Sequence, residues 1–141
     1  MVVCIDTNAT LGMFGRAAPL LAIRHGLLAG KFRWALSNEI LLEYEEIAAR
    51  EMGAAGVERM LRFIELAGQA RDAFLRLSPT FRFHLIAADA DDDKFADCAI
   101  AAEADYIITE DHHFEALAGS GYKPQPVTPE EFIRRHLAKG A

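Results

Sequence analysis

The sequence predicts an α/β protein with a mostly parallel central sheet that helices cover on both sides. Two short apolar runs, residues 2–5 and 106–109, are each followed at once by an acidic residue. Such runs are typical of strands buried on both faces. Helical patterns separate the strand-like runs, as parallel strands require. The chain has 141 residues, 52% of them hydrophobic, so we expect one domain over residues 1–141 with a sizeable core.

Strand and helix signals alternate within the first 36 residues. Residues 2–5 are rich in β-branched side chains and predict the first strand. Residues 17–29 predict a helix, and Gly30 is a suitable C-terminal stop for it. Residues 32–36, aromatic and apolar in the main, predict the second strand.

The middle of the chain is predicted to contain two helices and a further strand. Ser37 is a plausible N-cap for a helix over residues 38–52, which Gly53 would end. Residues 56–72 carry apolar side chains at helical spacing and predict another helix. After an interrupting proline, residues 81–86 are expected to form the third strand.

The last third of the chain has the clearest signals. A helix is predicted over residues 93–103, a strand over 106–109 and a short helix over 112–118. A loop over residues 119–126 and a final helix from residue 128 onward are predicted to follow. Asp111 can cap the short helix. Thr128, Pro129 and Glu131 form a capping box with proline at the first helical position, so the final helix is expected to begin there.

Acidic residues are concentrated in the second part of the chain. The net charge is −6, and residues 83–141 carry twelve Asp or Glu against five Lys or Arg. Five of these acids fall between residues 89 and 97, where a solvated loop or a cation site would explain them. The acidity argues against a protein that coats nucleic acid by charge alone. It is compatible with a nuclease whose metal ions attract the phosphate.

The two cysteines, Cys4 and Cys98, each lie within an apolar run, so they predict neither a disulfide scaffold nor a four-thiolate zinc site. The N-terminus lacks the basic start of a signal peptide. No apolar stretch approaches the roughly 20 residues that a membrane-spanning helix needs. We therefore expect a reduced, cytoplasmic protein without membrane contact.

Carboxylates follow two of the predicted strands. Asp6 comes directly after the first strand, and Asp111 comes just after residues 106–109. A single aspartate at such a place is usually an N-cap. Two of them would face one crevice if their strands are neighbours, because ligands of open α/β sheets bind beyond the carboxyl ends of the strands.

Further candidate ligands lie on the predicted helices. Glu43 falls at the edge of the apolar stripe of its helix, slightly better placed than Glu45 to face the sheet. Asp93 and Asp97 are four residues apart, so they share a helix face, where like charges repel unless solvent or a cation compensates.

Four of these acids form an all-oxygen set: Asp6, Glu43, Asp93 and Asp111. Oxygen ligands without histidine or thiolate suit Mg²⁺ or Mn²⁺ rather than zinc. The chemistry that most often uses such a set is metal-assisted phosphodiester hydrolysis, in which the ion lowers the pKa of a bound water and neutralises charge on the phosphate. The sequence leaves open whether one ion or two are held.

Two stretches carry an order and spacing found in a known family: Asp6-Thr7-Asn8, and Asp93-x-x-x-Asp97-x-x-Ile100 followed by Thr109-x-Asp111. They resemble the opening motif and the second half of the signature of the PIN-domain family. Residues 91–95, 104–109 and 127–132 are most similar to the branch that contains toxin components of toxin–antitoxin pairs. The resemblance covers nearly the whole chain.

The resemblance implies a three-layer α/β/α sandwich and an endoribonuclease that cuts single-stranded RNA with Mg²⁺ or Mn²⁺. The family's catalytic, metal-binding quartet falls on Asp6, Glu43, Asp93 and Asp111. Asp97 matches a metal-ligand position that is acidic only in some members. The positions that support the site by hydrogen bonds fall on Thr7, Asn8, Ser37 and Thr109. The resemblance also implies an antitoxin that blocks the site, and a homodimer.

The chain departs from the family pattern on either side of Asp111. Glu110 stands where a small residue is usual, and His112 and His113 replace a basic–acidic pair. Adjacent helical residues point about 100° apart, so at most one of these histidines can face the site, and a surface role is favoured. The extra carboxylate of Glu110 would alter metal affinity or the approach of substrate.

Two other functions fit part of the sequence. A catalytically silent PIN-like module that binds RNA or protein would agree with the net acidity and with Glu110. A phosphoacceptor receiver domain also gathers aspartates at strand ends. It needs an acid pair after its first strand and a lysine after its last, and the sequence has only Asp6 at the first place and no suitable lysine at the second.

Overall fold

The fold is described from a computed structural model. The structure describes residues 1–15, 18–80, 82–86 and 92–137. Within them, one sheet contains five strands, which are β1 (Val2–Ile5), β2 (Arg33–Leu36), β3 (Phe74–Arg76), β4 (Tyr106–Ile108) and β5 (Gln125–Val127). The strand order is β3-β2-β1-β4-β5, and every neighbouring pair is parallel. The predicted α/β class is therefore confirmed.

Helices connect the strands and complete an α/β/α sandwich. The α-helices are α1 (Thr7–Phe14), α2 (Leu21–Leu28), α3 (Asn38–Ala70), α4 (Asp93–Ala101) and α5 (Pro129–Phe132). Short 3₁₀ helices span Ala18–Leu20 and His112–Leu117, and a π-helical segment, Ile133–Leu137, continues α5. Among these, α4 contacts β1, β2 and β4, whereas α1 contacts α2 and α3. No described helix is both long and apolar enough to cross a bilayer.

Strand β1 lies at the centre of the sheet, and this placement organises the site. Val3, Cys4 and Ile5 have no solvent exposure, as their continuous apolar run predicts. Ile5 pairs with Ile108 of β4, so the residues that follow these two strands emerge side by side. Cys4 and Cys98 are both free and buried.

Fully buried aromatic side chains connect the sheet with the helices around the site. The rings of Trp34, Tyr44, Phe95 and Phe114 form a row with centroids 5.9, 6.2 and 6.4 Å apart. The Tyr44 hydroxyl donates a hydrogen bond to the carbonyl of Ile5. Helix α3 is thereby held beside the carboxyl end of β1, and Glu43, the residue before Tyr44, lies next to that end.

Local cap chemistry predicts several helix boundaries correctly. The side chains of Ser37 and Thr128 accept hydrogen bonds from the backbone N–H groups of Ile40 and Glu131, at 3.2 and 3.1 Å. Asp111 likewise caps the 3₁₀ helix that follows it. The final helix is described to residue 137. The helix predicted over residues 17–29 corresponds to the 3₁₀ helix Ala18–Leu20 followed by α2, and residue 17 lies outside the described residues.

The expectation of a strand over residues 81–86 is wrong. Residues 82–86 have no regular structure, and residue 81 lies outside the described residues. The third strand is β3, only three residues long, whose Phe74 pairs with Trp34 and packs its ring 5.6 Å from the indole. A three-residue strand is too short to show alternation, so only its pairing with β2 identifies it.

Two further elements were not expected from the sequence. Helix α1 begins directly after Asp6, where an end to the strand was predicted but no helix. Strand β5 lies in the region expected to be a loop, and it contains Pro126. Proline cannot donate to a sheet ladder, but β5 is an edge strand, where proline is tolerated.

Gly53 divides α3 into the two helices that the sequence predicts. Its backbone, at φ 73° and ψ −178°, lies in a region that is essentially restricted to glycine. Gly53→Ala is therefore expected to lower the free energy of unfolding by about 1–3 kcal/mol, measured by urea denaturation. No described atom lies within 4 Å of the added methyl group, so a loss would come from the backbone rather than from a clash.

Gly68→Ala is the matched control, since Gly68 lies in the same helix and an added methyl group would make ordinary contact with Phe74 at 3.7 Å. It is expected to stabilise the protein by about 0.5–1 kcal/mol. Equal effects of the two substitutions would contradict the assigned role of Gly53.

Candidate functional site

Asp6 connects the end of β1 with the start of α1. Its Oδ1 accepts a hydrogen bond from the N–H of Ala9 at 2.9 Å, and its Oδ2 accepts one from the hydroxyl of Thr109. The residue is 6% exposed. Burial raises the pKa of this carboxyl above its usual value, the two hydrogen bonds lower it in part, and the nearby charges of Asp111 and Glu110 raise it further.

Thr109 joins Asp6 to a second carboxylate. While its hydroxyl donates to Asp6, its Oγ1 accepts a hydrogen bond from the backbone N–H of Asp111 at 2.9 Å. Asp111 in turn caps the following 3₁₀ helix by accepting from the N–H of His113 at 2.9 Å. One buried threonine therefore fixes both acids that follow β1 and β4.

Glu43 approaches the same place from α3. One of its carboxylate oxygens accepts a hydrogen bond from the hydroxyl of Thr7, and the other lies 2.5 Å from Nζ of Lys94. The side chains of Glu43 and Lys94 are each 19% exposed, so this ion pair is largely shielded from solvent. The lysine was not singled out from the sequence, because nothing local shows that the start of α4 faces α3.

These groups surround a cavity of about 440 Å³, which we call the acid cavity. Its described lining comprises Asp6, Thr7, Asn8, Glu43, Glu46, Ile47, Arg50, Glu51, Asp92, Phe95 and Asp111. The cavity thus brings together three of the four acids predicted from the sequence, from β1, α3 and the end of β4. Carboxylate oxygens from separate elements are the ligands that hard divalent cations take, so the lining fits Mg²⁺ or Mn²⁺.

The other two predicted acids, Asp93 and Asp97, accept hydrogen bonds from backbone groups of the segment that precedes α4. Asp93 accepts a hydrogen bond from the N–H of Ile86 at 2.9 Å, and Asp97 accepts one from the N–H of Phe83 at 3.0 Å. They hold residues 82–86 and are not among the described residues that line the acid cavity. Asp92, which directly precedes α4, lines the cavity instead. Residues 89 and 91 of the acidic run lie outside the described residues.

The remaining predicted residues take different positions. Asn8 lines the acid cavity, whereas Ser37 is buried as the N-cap of α3, away from the described lining. The two histidines diverge as adjacent helical residues should. The side chain of His112 is 80% exposed, but the ring of His113 lies between Asp92 and Asp111, with Nδ1 3.4 Å from a carboxylate oxygen of each.

Asp97 is a buried acid with an incomplete set of partners. It is 3% exposed, and its Oδ2 has no hydrogen-bond partner among the described residues. Burial raises its pKa, the bond from Phe83 lowers it in part, and the charge of Asp93 raises it further. A carboxyl with a raised pKa in the folded state favours folding when protonated. Its contribution to stability is therefore present at low pH and is lost as the pH rises through the raised pKa.

The free energy of unfolding of Asp97→Asn, relative to that of the parent protein, is accordingly expected to be higher at pH 7 than at pH 4. Urea unfolding at both pH values measures this difference. Asp105→Asn should show the opposite trend. The N–H of Val2 donates to Asp105 at 2.9 Å and lowers the pKa of that carboxyl, so its stabilising contribution is present above the unfolded pKa and is lost in acid. The same trend in both variants would contradict this assignment.

Comparison with known proteins identifies one family. The model of the PIN domain matches residues 2–113. The matched span runs from β1 through the histidine pair and contains all the described residues that line the acid cavity. No match to a curated protein or to a solved structure is significant.

Proposed function

The chain belongs to the PIN-domain family, and from this membership we propose that it is an endoribonuclease that uses Mg²⁺ or Mn²⁺ to cut single-stranded RNA. PIN domains are generally nucleases, and they typically use divalent metal ions. The observation that carries the proposal is the convergence of Asp6, Glu43 and Asp111 on one cavity. The choice of single-stranded RNA rests on the family resemblance.

Asp6, Glu43 and Asp111 would hold the metal ion or ions, with Asp92 as a further oxygen donor at the cavity wall. A bound ion supplies a water of lowered pKa and neutralises charge on the phosphate. Asp93 stays a predicted ligand from the family resemblance, as does Asp97. Titration of Asp92→Asn and Asp93→Asn with Mn²⁺ would show which acid at the start of α4 contributes to binding.

Side chains of this protein prepare the carboxylates for a cation. The Thr109 hydroxyl orients Asp6, and the Thr7 hydroxyl orients Glu43. Hydrogen bonds of this kind fix the direction of a ligand's lone pairs, which matters for metal affinity. Lys94 and Arg50 bring positive charge to the acid cavity and its edge, where a phosphate of the RNA backbone would approach.

The test is cleavage of a 5′-labelled, mixed-sequence, single-stranded RNA by the purified protein. We expect cleavage with Mn²⁺ or Mg²⁺ and none with EDTA, and much slower cleavage of double-stranded RNA and single-stranded DNA of the same sequence. Folded protein that binds Mn²⁺ and leaves every RNA intact would contradict the proposed activity.

We further propose that the protein is the toxin of a toxin–antitoxin pair, acting as a homodimer and inhibited by an antitoxin that covers the acid cavity. The support is the resemblance of residues 91–95, 104–109 and 127–132 to that branch of the family. Induced expression should arrest growth, and co-expression of the product of a short neighbouring reading frame should relieve the arrest. Normal growth with verified expression of active protein would contradict the toxin role.

A catalytically silent module that binds RNA or protein is the second candidate. The ion pair between Glu43 and Lys94 favours it, because an ammonium group already neutralises one of the predicted ligands. Calorimetric titration with Mn²⁺ separates the two functions. Absence of binding at millimolar metal would favour the silent module, whereas binding that Asp6→Asn abolishes would favour the nuclease.

A further inference from the structure

Lys94 stands at a place where its own helix disfavours a cation. It is the second residue of α4, close to the positive end of the helix dipole, where acidic side chains are stabilising and basic ones are not. The side chain reaches α3 instead, and its Nζ lies 2.5 Å from Oε1 of Glu43. The carboxylate that it contacts, and not its own helix, therefore accounts for the position of this lysine.

Both oxygens of the Glu43 carboxylate have a partner. Oε1 is paired with Lys94, and Oε2 accepts a hydrogen bond from the hydroxyl of Thr7. The side chains of Glu43 and Lys94 are each only 19% exposed. When one member of a shielded ion pair is removed, the charge of the other is left without compensation, which is costly. Glu43 therefore needs a cation beside Oε1, and Lys94 provides one.

We propose that Lys94 is a built-in cation that competes with the divalent metal ion for Glu43, and that a phosphate of the RNA backbone releases it. This inference rests on the proposed function, because it concerns how the same site takes up its metal and its substrate. A metal ion bonded to Oε1 of Glu43 would meet the ammonium group as a close like charge. A phosphodiester is an anion to which the ammonium can donate instead, and the flexible four-carbon side chain of lysine allows the change of partner.

Competition at Glu43 makes metal binding and RNA binding favour each other. Without RNA, an incoming ion has to displace the ammonium group of Lys94, which reduces its affinity. With RNA bound, the phosphate takes the ammonium group and leaves Glu43 to the ion. By thermodynamic linkage, RNA then raises the affinity for the metal by the same factor by which the metal raises the affinity for RNA.

The experiment is calorimetric titration of the RNA-free protein with Mn²⁺, for the parent and for Lys94→Met. Methionine is a comparably good helix former without a charge. The variant is expected to bind Mn²⁺ about 5–150-fold more tightly, because the competing ammonium group is gone. Thermal unfolding gives a second readout. Without metal, Lys94→Met should unfold at a lower temperature than the parent, and added Mn²⁺ should raise its unfolding temperature by more.

Lys123→Met is the matched control, since it removes the same charge from an ion pair elsewhere. Nζ of Lys123 lies 3.4 Å from Asp105, which precedes β4 and therefore lies at the opposite end of the sheet from the acid cavity. Its affinity for Mn²⁺ should stay within about twofold of the parent, because a distant, exposed charge is screened by salt. Lys94→Arg keeps a positive charge at position 94, so its affinity should lie closer to that of the parent than to that of Lys94→Met.

The release by RNA is tested by the Mn²⁺ concentration that half-saturates cleavage when labelled single-stranded RNA is saturating. In the parent, this concentration should lie about 5–150-fold below the dissociation constant for Mn²⁺ of the RNA-free protein. In Lys94→Met, the two values should agree within about threefold, since the coupling is lost. Agreement of the two values in the parent would contradict the release by RNA.

Equal affinities of Lys94→Met and the parent for Mn²⁺ without RNA would overturn the competition and leave the nuclease function intact. A parent that binds Mn²⁺ but cleaves no RNA would contradict the nuclease function, and the RNA-free titrations would still decide whether Lys94 competes. If neither protein binds Mn²⁺, both proposals are wrong.

Discussion

Asp6→Asn is expected to reduce metal-dependent RNA cleavage at least about 100-fold, because it removes the most buried carboxylate of the acid cavity. Loss of a group that only orients a metal ligand costs about 10–100-fold, so loss of a ligand charge should cost at least the upper end of that range. The measurement is the initial rate of cleavage of labelled single-stranded RNA at saturating Mn²⁺.

The variant should remain folded. Asparagine is as good an N-cap as aspartate, so its side-chain oxygen can still accept from the N–H of Ala9. In the parent protein the Thr109 hydroxyl donates to Asp6, and in the variant the asparagine amide can instead donate to that hydroxyl. Removal of a carboxylate whose pKa is raised by burial also relieves a desolvation cost at neutral pH. Urea unfolding should therefore show no large loss of stability.

Asp72→Asn is the control, since the same chemical change is made on a side chain that is 84% exposed. It should cleave RNA at the parent rate. Equal cleavage by the Asp6 variant and the parent would assign the activity to a contaminating nuclease and would contradict the proposed site.

Thr109→Val is expected to lower metal affinity and cleavage by about 10–100-fold without changing any ligand. Valine has nearly the same shape, but it can neither donate to Asp6 nor accept from the N–H of Asp111. The variant should also lose about 1–3 kcal/mol of stability, because buried polar groups are left without partners. Calorimetric titration with Mn²⁺ and urea unfolding measure the two effects.

Thr128→Val is the matched control for this substitution. Thr128 also accepts a hydrogen bond from a backbone N–H, that of Glu131, but it caps α5 at an exposed position. Its loss should cost about 1 kcal/mol of stability and leave metal affinity unchanged. If both threonine variants bind Mn²⁺ equally well, Thr109 does not position the acids.

Most elements that depend on neighbouring residues in the sequence were predicted correctly, whereas strands that depend on pairing with distant residues were not. All residues of β1 and β4 except the first of each are fully buried, and burial on both faces requires the continuous apolar run that each strand shows. The caps at Ser37, Asp111 and Thr128 depend on atoms three residues away or fewer, and each was predicted correctly. The edge strands β3 and β5 depend on pairing with distant residues, and neither was predicted.

The same distinction applies to the acid cavity. The sequence indicated that Asp6 and Asp111 would face one crevice if their strands were neighbours, because the carboxyl ends of parallel strands share one edge of the sheet. The pairing of β1 with β4 meets this condition. The sequence could not show that Asp92, rather than Asp93, lines the cavity. A single step along the chain at the start of a helix turns a side chain by about 100°, and only the packing of α4 fixes that rotation.

By itself, then, the sequence determined the parallel α/β class, the family signature and the two acids that follow the central strands, because each is encoded in neighbouring residues. Only the tertiary structure decided that Lys94 pairs with Glu43 and that Thr109 holds two carboxylates. It also decided that the ring of His113, rather than that of His112, lies between Asp92 and Asp111. These contacts join residues brought together by packing, and their geometry depends on helix rotations that short sequence patterns do not specify.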